Sequence, residues 1–316
     1  MNALPQYPDT LESINRLART DPRALVGFSE ARFEQALDAA VDRVMQERGR
    51  EIVMLAGPSG SGKTTAARKL AARFRALGLQ SDVLSLDDFY LDRDDIPCGA
   101  DGKPDYESVR ALDLPLLQTA LSDLLAGREA ALPTFDFTVG RRAPAWRTLR
   151  LGEQDAVIVE GLHALNPLVT ARLPRENVLK LYLRVARRIC RADGEVLLRR
   201  RELRLVRRLL RDRRERASSA AHTLSLWGNV LLGEQNYLLP YRGTADMDLD
   251  STYLCEPCVF ASAAIDFLED ADLPKDARGA AEHLTAALRQ FVRIDPSFVP
   301  EGSLLREFLG RAGLRD

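Results

Sequence analysis

The feature that most restricts this chain is the run Gly57-Pro58-Ser59-Gly60-Ser61-Gly62-Lys63-Thr64, which fits G-x-x-x-x-G-K-[ST]. It lies between the apolar stretch IVMLA and a segment with helical spacing that begins near Gly62, as a phosphate-binding loop requires. Glycines here let successive backbone N–H groups turn toward phosphate oxygens, and the start of the helix adds its positive dipole end. Lys63 would then reach the β and γ phosphates, and Thr64 would supply a hydroxyl for Mg²⁺, with Thr65 next to it in the ATP cradle. A plain glycine-rich turn would need neither the Lys nor the flanking strand and helix.

Beyond the loop, short apolar runs alternate with helical segments: SDVLSL, a helix near residues 108–126, AVIVEG and NVLKLYLRV. This alternation predicts an α/β protein, a P-loop NTPase fold with a parallel sheet flanked by helices. Residues 1–50 read as an N-terminal helical extension, with Phe28, Phe33, Ala36, Leu37, Ala40, Val41 and Val44 at helical spacing before the polar break ERGR. The P-loop domain is placed at 51–260 and a C-terminal helical region at 261–316. Within them an amphipathic helix is expected over 219–240, a late strand at ADMDLDSTY, and two helices across 259–291.

Acidic groups stand where two of the strands run out. Asp87 and Asp88 follow SDVLSL, and in an open parallel sheet the site lies beyond the carboxyl ends of the strands. A carboxylate there can orient an attacking hydroxyl and take its proton. Glu160 closes AVIVEG, which makes it the candidate acid of the Mg²⁺ shell.

Charge is informative locally, not globally. The formal net charge of −1 gives no overall pull toward nucleic acid or acidic membranes, yet residues 184–216 carry fourteen Arg against five acidic residues at helical spacing. Arg204, Arg208 and Arg211 fall at i, i+4 and i+7 on one helical face, a stripe able to close over ATP and stabilise charge on the transferring group. The absence of aromatic residues between Tyr182 and Trp227 argues against base stacking there. Only five of the 45 basic residues are Lys, so Lys63 stands against a strong Arg bias.

No run approaches the roughly 18 apolar residues of a membrane span, and MNALPQYPDTLESINR lacks the basic and apolar regions of a signal peptide; a cytoplasmic location is expected. Four Cys make no disulfide framework, and the Cys255/Cys258 pair, in the apolar stretch STYLCEPCVF, reads as core packing.

With these residues assembled, the chain resembles the uridine kinase and phosphoribulokinase family of P-loop kinases over roughly residues 51–260, through GPSGSGKTT, SLDDFYLD, LPTFDF, VIVEGLHALNP and RRLLRDRRERA. It is most similar to a bacterial nucleoside-kinase branch, which TLSLWGNVLLGEQNYLLPY and SLLREFLG also resemble. The resemblance implies that Asp87 is the catalytic base, that Tyr90 and Phe135 lie near the substrate, and that Phe137 packs on a base. It implies a lid at about 195–217 with Arg208, Arg211 and Arg216 as lid arginines. Departures fall in the acceptor half: Gly140, Arg141 and Arg142 stand where uridine kinases carry a pyrimidine-reading His, and the segment bearing the ribose-holding acid reads Asp101-Gly102-Lys103-Pro104-Asp105.

The reading is therefore an ATP- and Mg²⁺-dependent kinase acting on a hydroxyl of a small molecule, with a nucleoside as leading acceptor. Two rivals stay open. One is a kinase for pantothenate, glycerate or a sugar phosphate, for which Arg141 and Arg142 would suit an anion. The other is a P-loop ATPase or nucleotide-gated switch, although no N-K-x-D guanine-reading motif is present. The expected partner is a small-molecule substrate, without nucleic acid or membrane; self-association into a homo-oligomer is left open.

Overall fold

The computed structural model describes residues 10–46, 52–99, 102–152 and 155–310. The polar break at 47–50 and Asp101 lie outside the described residues. Five strands, β1 (Ile52–Ala56), β2 (Ser81–Ser85), β3 (Ala156–Glu160), β4 (Val178–Arg184) and β5 (Met247–Asp250), form one sheet in the order β5-β4-β1-β3-β2. Every pairing in it is parallel. The strand that leads into the glycine-rich loop is thus the central one. Its register sets Leu55 level with Glu160 of β3, and Ser85 of β2 level with the same Glu160, so three carboxyl ends open on one edge.

Alternation along the strands divides the core in two. Val53 and Leu55 face one layer with Leu179, Leu181 and Leu183, while Ile52, Met54 and Ala56 face the other with Val157 and Val159. The first layer is covered by α1 (Leu11–Thr20), α2 (Pro22–Gln46) and α3 (Lys63–Ala76), the second by α4 (Leu114–Leu125). Phe33, Leu37, Ala40, Val41 and Val44 of α2 are buried, with Phe28 and Ala36 partly covered. Glu34 pairs with Lys69 and Arg73, and Asn15 exchanges hydrogen bonds with the backbone of Gln290 and Val292, so the N-terminal helices are fixed to both α3 and the C-terminal region.

The longer of the remaining helices among the described residues are α5 (Arg200–Arg216), α6 (Ala220–Tyr237), α7 (Glu256–Glu269) and α8 (Lys275–Leu288), beside one-turn helices at Pro167–Thr170 and Arg306–Leu309; α7 runs through residue 260. Two sequence expectations need correction. The Arg-rich segment is not helical from 184: Ile189–Cys190 and Val196–Leu198 pair as a small antiparallel hairpin turned at Gly194 (φ +90°), and the helix begins only at Arg200. The helix expected from 108 begins at Leu114, where the Asp113 side chain accepts from Leu116 N; a 3₁₀ turn, Val109–Ala111, precedes it. Cys255 and Cys258 are buried thiols whose burial pushes both upward, that of Cys258 to about 12, and they pack in the first core layer.

Candidate active site

Gly60 and Gly62 hold the loop in the left-handed region, at φ +74° and +87°. Space also demands glycine. A Cβ on Gly60 would stand 2.7 Å from the Arg204 carbonyl oxygen, and one on Gly62 would stand 2.5 Å from Leu304 Cδ1. Gly57 lies against the backbone of β4, Ser61 is buried, and the Lys63 ammonium donates only a long bond, 3.4 Å, to the Pro58 carbonyl.

Helix α5 grips this loop from the side. Arg204 donates to the Ser59 carbonyl (3.0 Å), Arg207 to the Gly60 carbonyl (3.2 Å) and Arg208 to Ser59 Oγ (2.9 Å). Arg204 also makes a two-pronged pair with Glu234 of α6, whose Oε1 accepts from the Ser59 amide as well. Arg204 is therefore corrected from a member of an ATP-facing stripe to a buried loop anchor. Arg207, absent from the sequence reading, is fully buried and bonded to Glu256 and the Ser251 carbonyl. Its only sequence signal was its place in a cluster too uniform to separate. Arg211 and Arg216 lie further along α5, each within 3.5 Å of the Asp212 carboxylate, and both line the open cleft.

Across the cleft, Asp87 sits on a 3₁₀ turn, Leu86–Phe89, which Ser85 caps by accepting from the Asp87 amide. Its carboxylate reaches the cleft's solvent, but the enclosing walls withdraw it from bulk water and raise its pKa; Asp88 adds to the rise, while Lys63, Arg216 and Arg211 oppose it. Asp88 turns the other way and accepts from the Phe135 amide at 3.2 Å. Glu160 is buried, and its Oε1 accepts from Thr64 Oγ1 (3.3 Å) and Ser85 Oγ (3.2 Å). Burial pushes its pKa up to about 7 against the pull of Lys63.

Thr64 and Glu160 fit a magnesium ion in kind, because hard oxygen donors stand together at a buried carboxylate that a cation would favour in its ionised form. Among the described residues no group of three or more His, Cys, Asp or Glu could cage a metal. That suits an ion completed by phosphate oxygens and water.

Next to the Asp87–Asp88 turn, Tyr90, Phe135 and Phe137 come together, with ring centroids 5.8, 6.0 and 4.9 Å apart pairwise, and Phe137 is 59% exposed. Arg142 is bound within the protein: it donates to the Asp113 carboxylate (2.9 Å) and the Tyr90 carbonyl (3.3 Å). Arg141 points outward to exposed Asp94. Gly140 (φ +71°) lies under the Arg93 guanidinium, which a Cβ would meet at 2.8 Å. A polar group that sequence reasoning missed stands close by. Tyr237 of α6 donates to Asp105 at 2.6 Å and packs edge-on to His163, which burial holds neutral with its pKa lowered to about 4. Neither Tyr237 nor His163 had a partner visible in the sequence, because α6 is more than 100 residues from Asp105.

A parallel sheet, a glycine loop with Lys at its central strand and carboxylates at the neighbouring strand ends define a P-loop kinase. The model of the phosphoribulokinase / uridine kinase family matches residues 52–253, and the chain belongs to that family. It is accordingly a phosphotransferase, a kinase of a nucleoside or other small molecule with ATP implied as donor. It is 34% identical to a uridine kinase of Deinococcus deserti over 52% of this chain and 70% of that one. It is 29% identical to a uridine kinase of Lactobacillus helveticus over 62% of this chain and 84% of the other. Among solved structures, phosphoribulokinase from Rhodobacter spheroides is similar over 65% of this chain and 74% of its own, at 16% identity and a TM-score of 0.39. No helix among the described residues is long and apolar enough to cross a membrane.

Proposed function

We propose that the protein transfers the γ-phosphoryl group of MgATP to a hydroxyl of a nucleoside. The observation that carries this reading is the placement of Asp87 at the carboxyl end of β2, facing the cleft within the electrostatic reach of Lys63, Arg211 and Arg216. Asp87 receives the acceptor's hydroxyl and takes its proton, while the three cations stabilise charge on the moving phosphoryl group. Arg208 holds the loop through Ser59 Oγ, so its effect on the phosphates runs through loop position as well as charge. Thr64 and Glu160 would hold the magnesium ion, which would supply neutralisation of phosphate charge.

The nucleoside is supported by the aromatic group Tyr90, Phe135 and Phe137, a surface suited to a flat base. An anionic acceptor has less support, since Arg142 is already paired with Asp113. The test mixes the protein and MgATP with a panel of nucleosides, pantothenate, glycerate and sugar phosphates, and reads the gain of one phosphate by mass spectrometry. A phosphorylated nucleoside is expected. Modification of an anionic alcohol alone would overturn the nucleoside assignment, and ATP hydrolysis without any modified acceptor would favour the switch reading.

A further inference from the structure

The family match ends at residue 253, yet one wall of the cleft is built from residues 301–310. This segment is firmly seated. Leu304 fills the space over Gly62, Phe308 packs against Phe260 and the Arg207 guanidinium, and Arg214 donates to the carbonyls of Arg306 (3.1 Å) and Glu307 (2.8 Å). The opposite wall is one face of α3: Thr64, Thr65, Arg68, Lys69 and Ala72 line a cleft of about 920 Å³. Eight residues of helix carry that face about 12 Å away from the loop. A donor whose terminal phosphate sat at Lys63 and Asp87 would have this face, between α3 and the C-terminal segment, for the rest of its length.

Glu307 stands at the head of that face, where its contact with Thr65 lies two residues past Lys63. Its Oε2 accepts from Thr65 Oγ1 at 2.6 Å, which fixes the carboxylate, and its Oε1 is 4.0 Å from Arg211, too far for a hydrogen bond. Glu307 lines the cleft, and the remaining lone pairs of Oε1 can accept from a molecule bound there. A phosphate oxygen cannot supply a hydrogen-bond donor, whereas a ribose hydroxyl or an exocyclic base amine can. We propose that the C-terminal segment completes the phosphoryl-donor site and that Glu307 reads the nucleoside end of the donor by accepting a hydrogen bond from it. The proposal rests on the reading of this cleft as the donor site.

The test compares wild type, Glu307→Ala and Glu307→Gln with ATP, 2′-deoxy-ATP, 3′-deoxy-ATP and inosine triphosphate, alongside thermal melts and a Lys63→Ala control. Loss of a hydrogen bond to a charged group predicts that Glu307→Ala raises KM for ATP about tenfold or more, with a smaller effect on kcat. Gln, which still accepts, should recover part of the loss. The analogue that wild type disfavours and Glu307→Ala no longer distinguishes from ATP identifies the partner: a deoxy-ATP means a ribose hydroxyl, inosine triphosphate means the amine. An unchanged KM, an equal rise for all four donors, or a lowered KM, which would mark Glu307 as a repeller of phosphate, overturns the proposal. If Lys63→Ala turns over like wild type, the donor-site reading itself fails; if Lys63→Ala is inactive and Glu307→Ala is silent, only the proposal fails.

Discussion

Arg207 and Glu256 form a fully buried ion pair beside the phosphate loop, with Nε 2.7 Å from Oε2, while the same guanidinium donates to the Gly60 carbonyl at 3.2 Å. Arg207→Ala would leave the Glu256 carboxylate buried without its cation, which typically costs about 3–5 kcal/mol. Urea unfolding should show that loss, together with weaker ATP binding from the released loop. Arg211→Ala, by contrast, removes a cleft-lining group and should leave the unfolding midpoint nearly unchanged while slowing transfer about tenfold or more. Equal stability of the two variants would refute the division of α5 into anchoring and cleft-lining arginines.

The sheet and the glycine loop were legible because each depends on contiguous residues: apolar runs of strand length, and a motif whose spacing follows from wrapping backbone around phosphate. The positions of Glu160 at the end of β3 and of Asp87 just past the end of β2 were legible for the same reason. The roles within α5 were not. Arg204, Arg207, Arg208 and Arg211 are one residue type in one helix, and only the partners Glu234, Glu256 and Ser59, brought in from distant segments, tell them apart. The contact of Glu307 with Thr65 was hidden likewise, since the two are 242 residues apart.

Lys63→Ala tests the loop directly. The ammonium has one long contact, to the Pro58 carbonyl, so its removal should leave the circular dichroism spectrum intact and shift the melting temperature little. Turnover should fall by about 100-fold or more, the scale of losing a group that stabilises transition-state charge. A folded variant with near wild-type turnover would remove the basis of the mechanism.

The two neighbouring aspartates should separate cleanly. Asp88 accepts from the Phe135 amide, a role that Asn keeps, so Asp88→Asn should change stability by less than about 1 kcal/mol and affect turnover modestly. Asp87→Asn should reduce kcat about 100-fold or more while ATP affinity, read by calorimetry, changes little. A more damaging Asp88→Asn would place the acceptor hydroxyl one residue along.

The pH dependence follows from the same carboxylate. Asp87 has its pKa raised above the ordinary 3.8, chiefly by the enclosing walls of the cleft. Only its ionised form can take a proton, so kcat/KM should fall on acidification along a limb that begins above the usual carboxylate range. Stability runs in the opposite sense. The folded state holds this proton more tightly than the unfolded chain does, so the stabilisation from Asp87 is fully present below 3.8 and is lost as pH rises through the folded value. Asp87→Asn should therefore abolish the acid limb in its residual activity and flatten the stability profile across the same window. Glu160, pushed up to about 7, is the other carboxylate able to shape that limb. A limb that persists in Asp87→Asn and disappears in Glu160→Gln would transfer the titration to Glu160 and leave Asp87 without the role of base.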